Sequence, residues 1–120
     1  MTNQEIATMI DENLPVKMAI MNNGFLGMVR QWQESFYEER YSATDMLPGM
    51  PDFMALAKAF GVGGVLIKER TELMPKLEEA LLNPEPMLID VHVRRSENCY
   101  PMVPPGKSNA EMVGLPAHPE

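Results

Sequence analysis

The sequence predicts a three-layer α/β/α fold built on a parallel sheet, and two observations carry that prediction. Three short, mostly apolar runs, Val16–Met21, Gly64–Ile67 and Met87–Val93, have the composition of strands buried on both faces. The stretches between them carry helical periodicity and are long enough for crossovers, as parallel strands require. A third observation qualifies the class. The first helical segment has no strand before it, so the unit reads as a partial domain.

The elements follow in order. Thr2 is placed to cap a first helix, with Glu5 at capping-box spacing and Ile6, Met9, Ile10 and Leu14 recurring every three to four residues. Asn13, Leu14 and Pro15 end it. Val16–Met21 (VKMAIM) is the first strand, and Asn22-Asn23-Gly24 is a turn signal at its exit. From Gly27 to about Glu38 a helix is expected, with Met28, Val29, Trp32, Phe36 and Tyr37 along one broad face. Residues 40–51 are a loop interrupted by Pro48, Gly49 and Pro51. Asp52–Phe60 is a short helix with Phe53, Leu56, Ala57 and Phe60 inward, closed by Gly61. Gly64–Ile67 is the second strand. A helix over Thr71–Leu82 follows, in which Pro75 is tolerable only near the first turn. Asn83-Pro84-Glu85-Pro86 breaks it, Met87–Val93 is the third strand, and the remainder is extended. Residues 1–93 therefore form the α/β part and 94–120 an irregular tail.

Composition narrows the function. With 10 basic and 17 acidic residues the 120-residue chain carries a formal charge of −7, which disfavours binding to a nucleic-acid backbone. No apolar run approaches the ~20 residues of a membrane helix, and no signal-peptide layout opens the chain. Cys99 is the one cysteine, so no internal disulfide is available, and with two histidines a zinc set is poorly supplied. These features predict a cytoplasmic domain with no nucleic-acid or membrane partner. Methionine (12) and proline (11) are both plentiful, so an isolated Met at helical spacing carries little weight.

The chemistry-bearing stretch is the exit of the first strand. In parallel α/β sheets ligands bind beyond the carboxyl ends of the strands. Asn22, Asn23 and Gly24 lie at such an end, and the helix beginning near Gly27 offers free N–H groups to an anion. Amide oxygens are suitable hard ligands for Mg²⁺, which would in turn hold a diphosphate. On spacing alone an Asn-Asn-Gly is more often only a turn, and Met28 and Trp32, at i and i+4, are more often core contacts. Glu34, Glu38 and Glu39 read as a solvated helix face, and His92 as an edge or core residue. His118 lies in the tail and receives no role. No side chain reads as an acid–base catalyst.

The segment NNGFLGMVRQWQESFYEERYSATD, together with PDFMALAKAFGVGG and ENCYPMVPPGKSNAEM, resembles the large catalytic subunit of the acetolactate synthase (acetohydroxyacid synthase) family. The likeness runs from Ile6 to Met112, and it is specific, because related pyruvate-processing enzymes lack the GMVRQWQ block and the YPMVPPG tail. It implies the thiamine-diphosphate-binding fold and, for the whole enzyme, condensation of decarboxylated pyruvate with pyruvate or 2-oxobutyrate in branched-chain amino-acid biosynthesis. By the same resemblance Asn22, Asn23, Gly24, Gly27 and Met28 belong to the thiamine diphosphate site. Asn23 coordinates Mg²⁺ through its side chain and Phe25 through its backbone carbonyl. Met28, Val29, Trp32, Pro105 and Gly106 line the substrate channel and herbicide pocket. The family's Gly-Asp-Gly, whose Asp is the other side-chain metal ligand, falls upstream of Met1, as do the FAD-holding middle domain and the domain carrying the activating glutamate. The resemblance thus implies the C-terminal fragment of a homo-oligomeric enzyme with an optional regulatory small subunit, inactive in isolation. Two other readings stand beside it: a non-catalytic module acting by association, and another thiamine-diphosphate-dependent 2-oxo acid enzyme, which Trp32 within MVRQWQ disfavours.

Overall fold

A computed structural model describes residues 2–114. Helix α1 (Glu5–Asp11) leads into strand β1 (Lys17–Asn22), and α2 (Gly27–Phe36) follows the turn. A 3₁₀ turn at Leu47–Gly49 interrupts the loop before α3 (Phe53–Phe60). Then come β2 (Gly63–Ile67), α4 (Arg70–Leu82) and β3 (Met87–His92), with a last 3₁₀ turn at Asn109–Glu111.

The three strands form one parallel sheet in the order β1-β3-β2. Central β3 is buried from Met87 to Asp90, as its apolar run requires. Leu88 faces Ile6, Ala57 and Val62, so α1 and α3 cover one side. Met87 and Ile89 face Ile67 and Ala80, so α4 covers the other. The layers are thus helix, sheet, helix, as the alternating pattern predicts. The register sets Asn22 beside His92 and Ile67 beside Val91, so all three strands end on one side of the molecule.

Local chemistry accounts for the element ends. Asp52 caps α3, accepting from the Met54 and Ala55 amides at 2.9 and 3.0 Å. Gly61 closes the same helix with φ 78°, a left-handed conformation that glycine adopts at little cost. Glu69 and Glu72 form a reciprocal capping box at the start of α4.

Three expectations are corrected. The Thr2 side chain does not cap α1. The N-cap is Gln4, without a side-chain bond, and Glu5 instead accepts from Thr8 Oγ1 at 3.2 Å, while only the Thr2 carbonyl serves the first turn. Pro75 sits in the second turn of α4, beyond the position where its missing N–H costs nothing. The loop over 40–51 is not wholly irregular, because Pro48 falls where the 3₁₀ turn needs no donor.

Two predictions follow from the packing. Ile89, 1% exposed on the central strand, leaves a cavity when changed to Ala, and urea unfolding should show a loss of about 2–5 kcal/mol. The Glu72 carboxyl is held at about 2 rather than 4.5, first by the Lys76 ammonium and then by the Lys68 and Glu69 amides. Its lowered value means that the ionised form supports the start of α4 above the unfolded value, and the support is lost as pH falls from about 4.5 through about 2. Amide exchange at Lys68 and Glu69 should accelerate over that interval relative to the core of β3, and a Glu72→Gln variant should lack the acceleration.

Candidate functional site

The exit of β1 is a pair of interlocked side-chain turns. Asn22 Oδ1 accepts from the Gly24 amide at 3.1 Å, and Asn23 Oδ1 from the Phe25 amide at 3.0 Å. Gly24 takes φ 71°, and a Cβ there would meet the Leu47 side chain at 3.0 Å. Gly27 is equally constrained, since a Cβ would lie 2.9 Å from Asn23 Nδ2. Each asparagine oxygen so bonded still has a second acceptor direction.

The residues beyond the turn are pinned by the loop that follows α2. Phe25 and Asp45 form an antiparallel bridge, flanked by Met46 N–H to Gly24 O at 2.9 Å and Leu26 N–H to Thr44 O at 3.0 Å. The Gly24 carbonyl is thereby occupied, whereas the Phe25 carbonyl accepts no hydrogen bond among the described residues. Helix α2 starts directly afterwards with Leu26 at its N-cap and no side-chain cap, so its first amides keep their attraction for an anion. Asn22, Asn23 and Gly24 also line a cavity of about 420 Å³ at the carboxyl ends of the strands, together with Lys68, Asp90 and His92.

Met28, Val29 and Trp32 project from one side of α2 and line a second cavity of about 720 Å³ with Gln33, Tyr37 and Arg40. They are exposed rather than packed into the core; Met28 is 61% and Trp32 39% accessible. Trp32 meets Phe36 edge to face at 5.7 Å. Pro105 and Gly106 lie in an exposed turn of the tail and line neither cavity. His118 falls outside the described residues.

Several side chains matter more than their sequence context indicates. Gln31, between Val29 and Trp32, is 1% exposed. Its Nε2 donates to the Cys99 carbonyl at 2.8 Å and its Oε1 accepts from the Cys99 amide at 3.0 Å. Glu34 is not simply solvated: it pairs with Arg30 at 2.8 Å and accepts from Asn98 at 3.2 Å, so α2 grips the tail along its polar side. Glu38 and Glu39 lie past the helix with φ 54° and 56°. His92 is at the end of the central strand, not at a sheet edge, and half-exposed, with Nε2 3.3 Å from Asp90 Oδ2. Asp90 is buried, and its Oδ1 has no partner among the described residues. An acid inside MLIDVHV was the visible signal for Asp90. Nothing local marks Gln31 or Asn98.

No group of three or more His, Cys, Asp or Glu side chains among the described residues is arranged to hold a metal, so a metal at the β1 exit would depend on amide and carbonyl oxygens. No described helix is long and apolar enough to cross a membrane.

Comparison with known proteins places this geometry. The family model for the C-terminal TPP binding domain of thiamine pyrophosphate enzymes matches residues 1–91. The chain is 67% identical, over all its 120 residues, to the acetolactate synthase large subunit of Parasynechococcus marenigrum (strain WH8102), covering 19% of that protein. It is 42% identical over 113 residues to the acetolactate synthase isozyme 2 large subunit of Escherichia coli (strain K12), covering 94% of this chain and 20% of that one. The chain thus spans about a fifth of the length of these relatives. Among solved structures, the thiamine diphosphate-dependent 4-hydroxybenzoylformate decarboxylase of Rhodococcus jostii RHA1 superposes with TM-score 0.68 over 77% of this chain and 17% of that one, at 24% identity, which establishes a shared fold.

The Gln31 clasp generates a prediction. Gln31→Leu should remove both hydrogen bonds to Cys99 and cost about 1–3 kcal/mol in urea unfolding, at roughly 0.5–1.5 kcal/mol for each bond lost. Proteolytic nicking between residues 94 and 105 should rise with it.

Proposed function

The chain belongs to the thiamine pyrophosphate enzyme family, as part of its C-terminal cofactor-binding domain, and from that premise we propose that it forms the C-terminal part of an acetolactate synthase large subunit. The whole enzyme would decarboxylate pyruvate and join the two-carbon product to a second pyruvate or to 2-oxobutyrate. The observation that carries this reading is the exit of β1. An asparagine oxygen with a spare acceptor direction and an unbonded Phe25 carbonyl stand before an uncapped helix, and that helix carries the Met28–Val29–Trp32 wall.

The donor set fits the group. Magnesium prefers hard oxygen ligands and few of them from protein, the remainder coming from water and phosphate. Asn23 Oδ1 and the Phe25 carbonyl would supply two, with a carboxylate from an upstream Gly-Asp-Gly segment as a third. Asn22 and Gly24 shape the turn. The amides at the start of α2, at Gly27 and Met28, would face diphosphate oxygens. Gly27 leaves room for Asn23, which a side chain would displace.

Thiamine diphosphate, when bound, supplies the carbanion chemistry that no protein side chain performs. In the whole enzyme the residues of this chain would hold the cofactor's charged end and present an apolar wall to the second keto acid. Trp32 gives a 2-oxobutyrate ethyl group more contact than a pyruvate methyl, and it offers planar inhibitors a face to stack on. Pro105 and Gly106 belong to the mouth of the same channel in this reading, brought there in the whole enzyme. FAD would bind outside this chain. The partners would be a second copy of the enzyme through the cofactor domains and a regulatory small subunit, in the cytoplasm.

Two outcomes test the reading in the intact enzyme carrying this segment. Asn23→Ala should raise the Mg²⁺ concentration required for half-maximal cofactor binding by about tenfold or more, and an unchanged titration would remove Asn23 from the metal site. Trp32→Leu should keep acetolactate formation from two pyruvates while preference for 2-oxobutyrate drops by about one order of magnitude. Inhibition by sulfonylurea-type and imidazolinone-type compounds should weaken in parallel. A competition assay with both keto acids and an inhibitor titration measure these effects.

A further inference from the structure

The ring of Phe25 lies between two guanidinium groups, Arg95 Cζ at 4.3 Å from its centroid and Arg30 Cζ at 5.4 Å. The two are not equivalent. Arg30 is committed to α2 and the tail, through Glu34 at 2.8 Å and Asn98 at 3.2 Å. Arg95 comes from the exit of β3 and reaches both the turn after β1 and the loop that pins it. It donates through Nη2 to Asp45 Oδ1 at 3.0 Å, and Asp45 is the bridge partner of Phe25. Its Nε lies 3.5 Å from where a Gly24 Cβ would stand, over the residue before Phe25.

One guanidinium thus covers the face of Phe25 and bonds the strand partner of Phe25, beside the space a Gly24 side chain would fill. An ion pair this exposed, with side chains 46% and 50% accessible, adds little to stability by itself. Its value is directional: a planar cation on a ring face restricts how the ring, and the peptide attached to it, can turn. That peptide carries the Phe25 carbonyl, which, like that of Asn23, accepts no hydrogen bond among the described residues, whereas those of Asn22 and Gly24 are occupied. A small cation with strict octahedral geometry tolerates little error in the placement of such an oxygen.

We propose that Arg95 is a positioning residue for the metal turn, fixing the Phe25 carbonyl by stacking on the Phe25 ring while anchored to Asp45. The exit of β3 is thereby coupled to the metal-binding exit of β1. This inference rests on the reading of Asn23 and Phe25 as Mg²⁺ ligands.

The experiment is a Mg²⁺ titration of thiamine diphosphate binding, followed by intrinsic fluorescence rather than turnover, in the intact enzyme carrying this segment. Arg95→Met should raise the Mg²⁺ concentration at half-maximal binding about threefold, the scale of one exposed cation–π contact. Arg95→Lys keeps a charge but not the flat fork, and should fall between wild type and Arg95→Met. Phe25→Leu should give a similar shift, and the Phe25→Leu, Arg95→Met double variant should be no weaker than the weaker single. An Asn23→Ala control separates the two readings. If Asn23→Ala shifts the titration and Arg95→Met does not, the Arg95 role is overturned while the metal site stands. If neither shifts, the metal reading fails and takes this inference with it. Additive effects of Phe25→Leu and Arg95→Met, or a lowered unfolding temperature for Arg95→Met with an unmoved titration, would reduce Arg95 to a structural contact and overturn the proposal.

Discussion

Everything at the carboxyl end of the sheet depends on the central strand. β3 pairs in parallel with β1 on one side and β2 on the other, and its first four residues are buried. Burial on both faces fixes the register, because a slip by one residue would send Leu88 to the α4 side and Ile89 to the α1 and α3 side. With the register set, Asn22 and His92 end level. The segments leaving β1 and β3 then emerge side by side, and residues far apart in sequence, such as Asp45 and Arg95, meet over one turn.

Helix α2 divides its surface by chemistry rather than packing one stripe into the core. Successive residues point about 100° apart around a helix, so Gln31 and Trp32 serve different neighbours. Arg30, Gln31 and Glu34 bind the tail through hydrogen bonds to Asn98 and Cys99, and Arg30 and Glu34 pair with each other along the helix. Met28, Val29 and Trp32 remain open to a large cavity. The arrangement explains how a helix standing past the end of the sheet keeps a definite orientation while its apolar residues stay accessible. Its polar side holds it in place, aided by Thr44, which donates to Gln33 Oε1 at 3.0 Å.

The sheet and helices were legible in the sequence because their signals are local and periodic. Met87–Val93 announced a doubly buried strand, and the observed strand ends at His92. Asp52 before Phe53 and Gly61 after Phe60 marked both ends of α3 through chemistry that acts within one turn. The Asn22-Asn23-Gly24 turn was legible for the same reason, although its use was indicated only by resemblance. What stayed hidden is non-local. Gln31 looks like any polar helix residue until Cys99 arrives beside it, and Arg95 like any exposed cation until Phe25 and Asp45 are in place. Thr2 shows the opposite failure: capping-box spacing with Glu5 did not make it the cap, since α1 begins two residues later at Gln4 and Glu5 accepts from Thr8 instead. Pro75 is tolerated inside α4, whose Ala80, Leu73 and Leu77 pack on the sheet, so tertiary burial outweighs one missing amide.

The bonds joining α2 to the tail also bear on the order of assembly. Arg30 to Asn98 and Gln31 to Cys99 each span 68 residues, and loops of that length close at a larger entropic cost than local contacts. They become favourable only after the sheet has brought the ends of β1 and β3 together, so the tail docks late. In the native state the dependence runs the other way. A layer attached by polar contacts at the rim can detach while the buried strands hold, giving the molecule a peripheral unit that opens with less free energy than global unfolding requires.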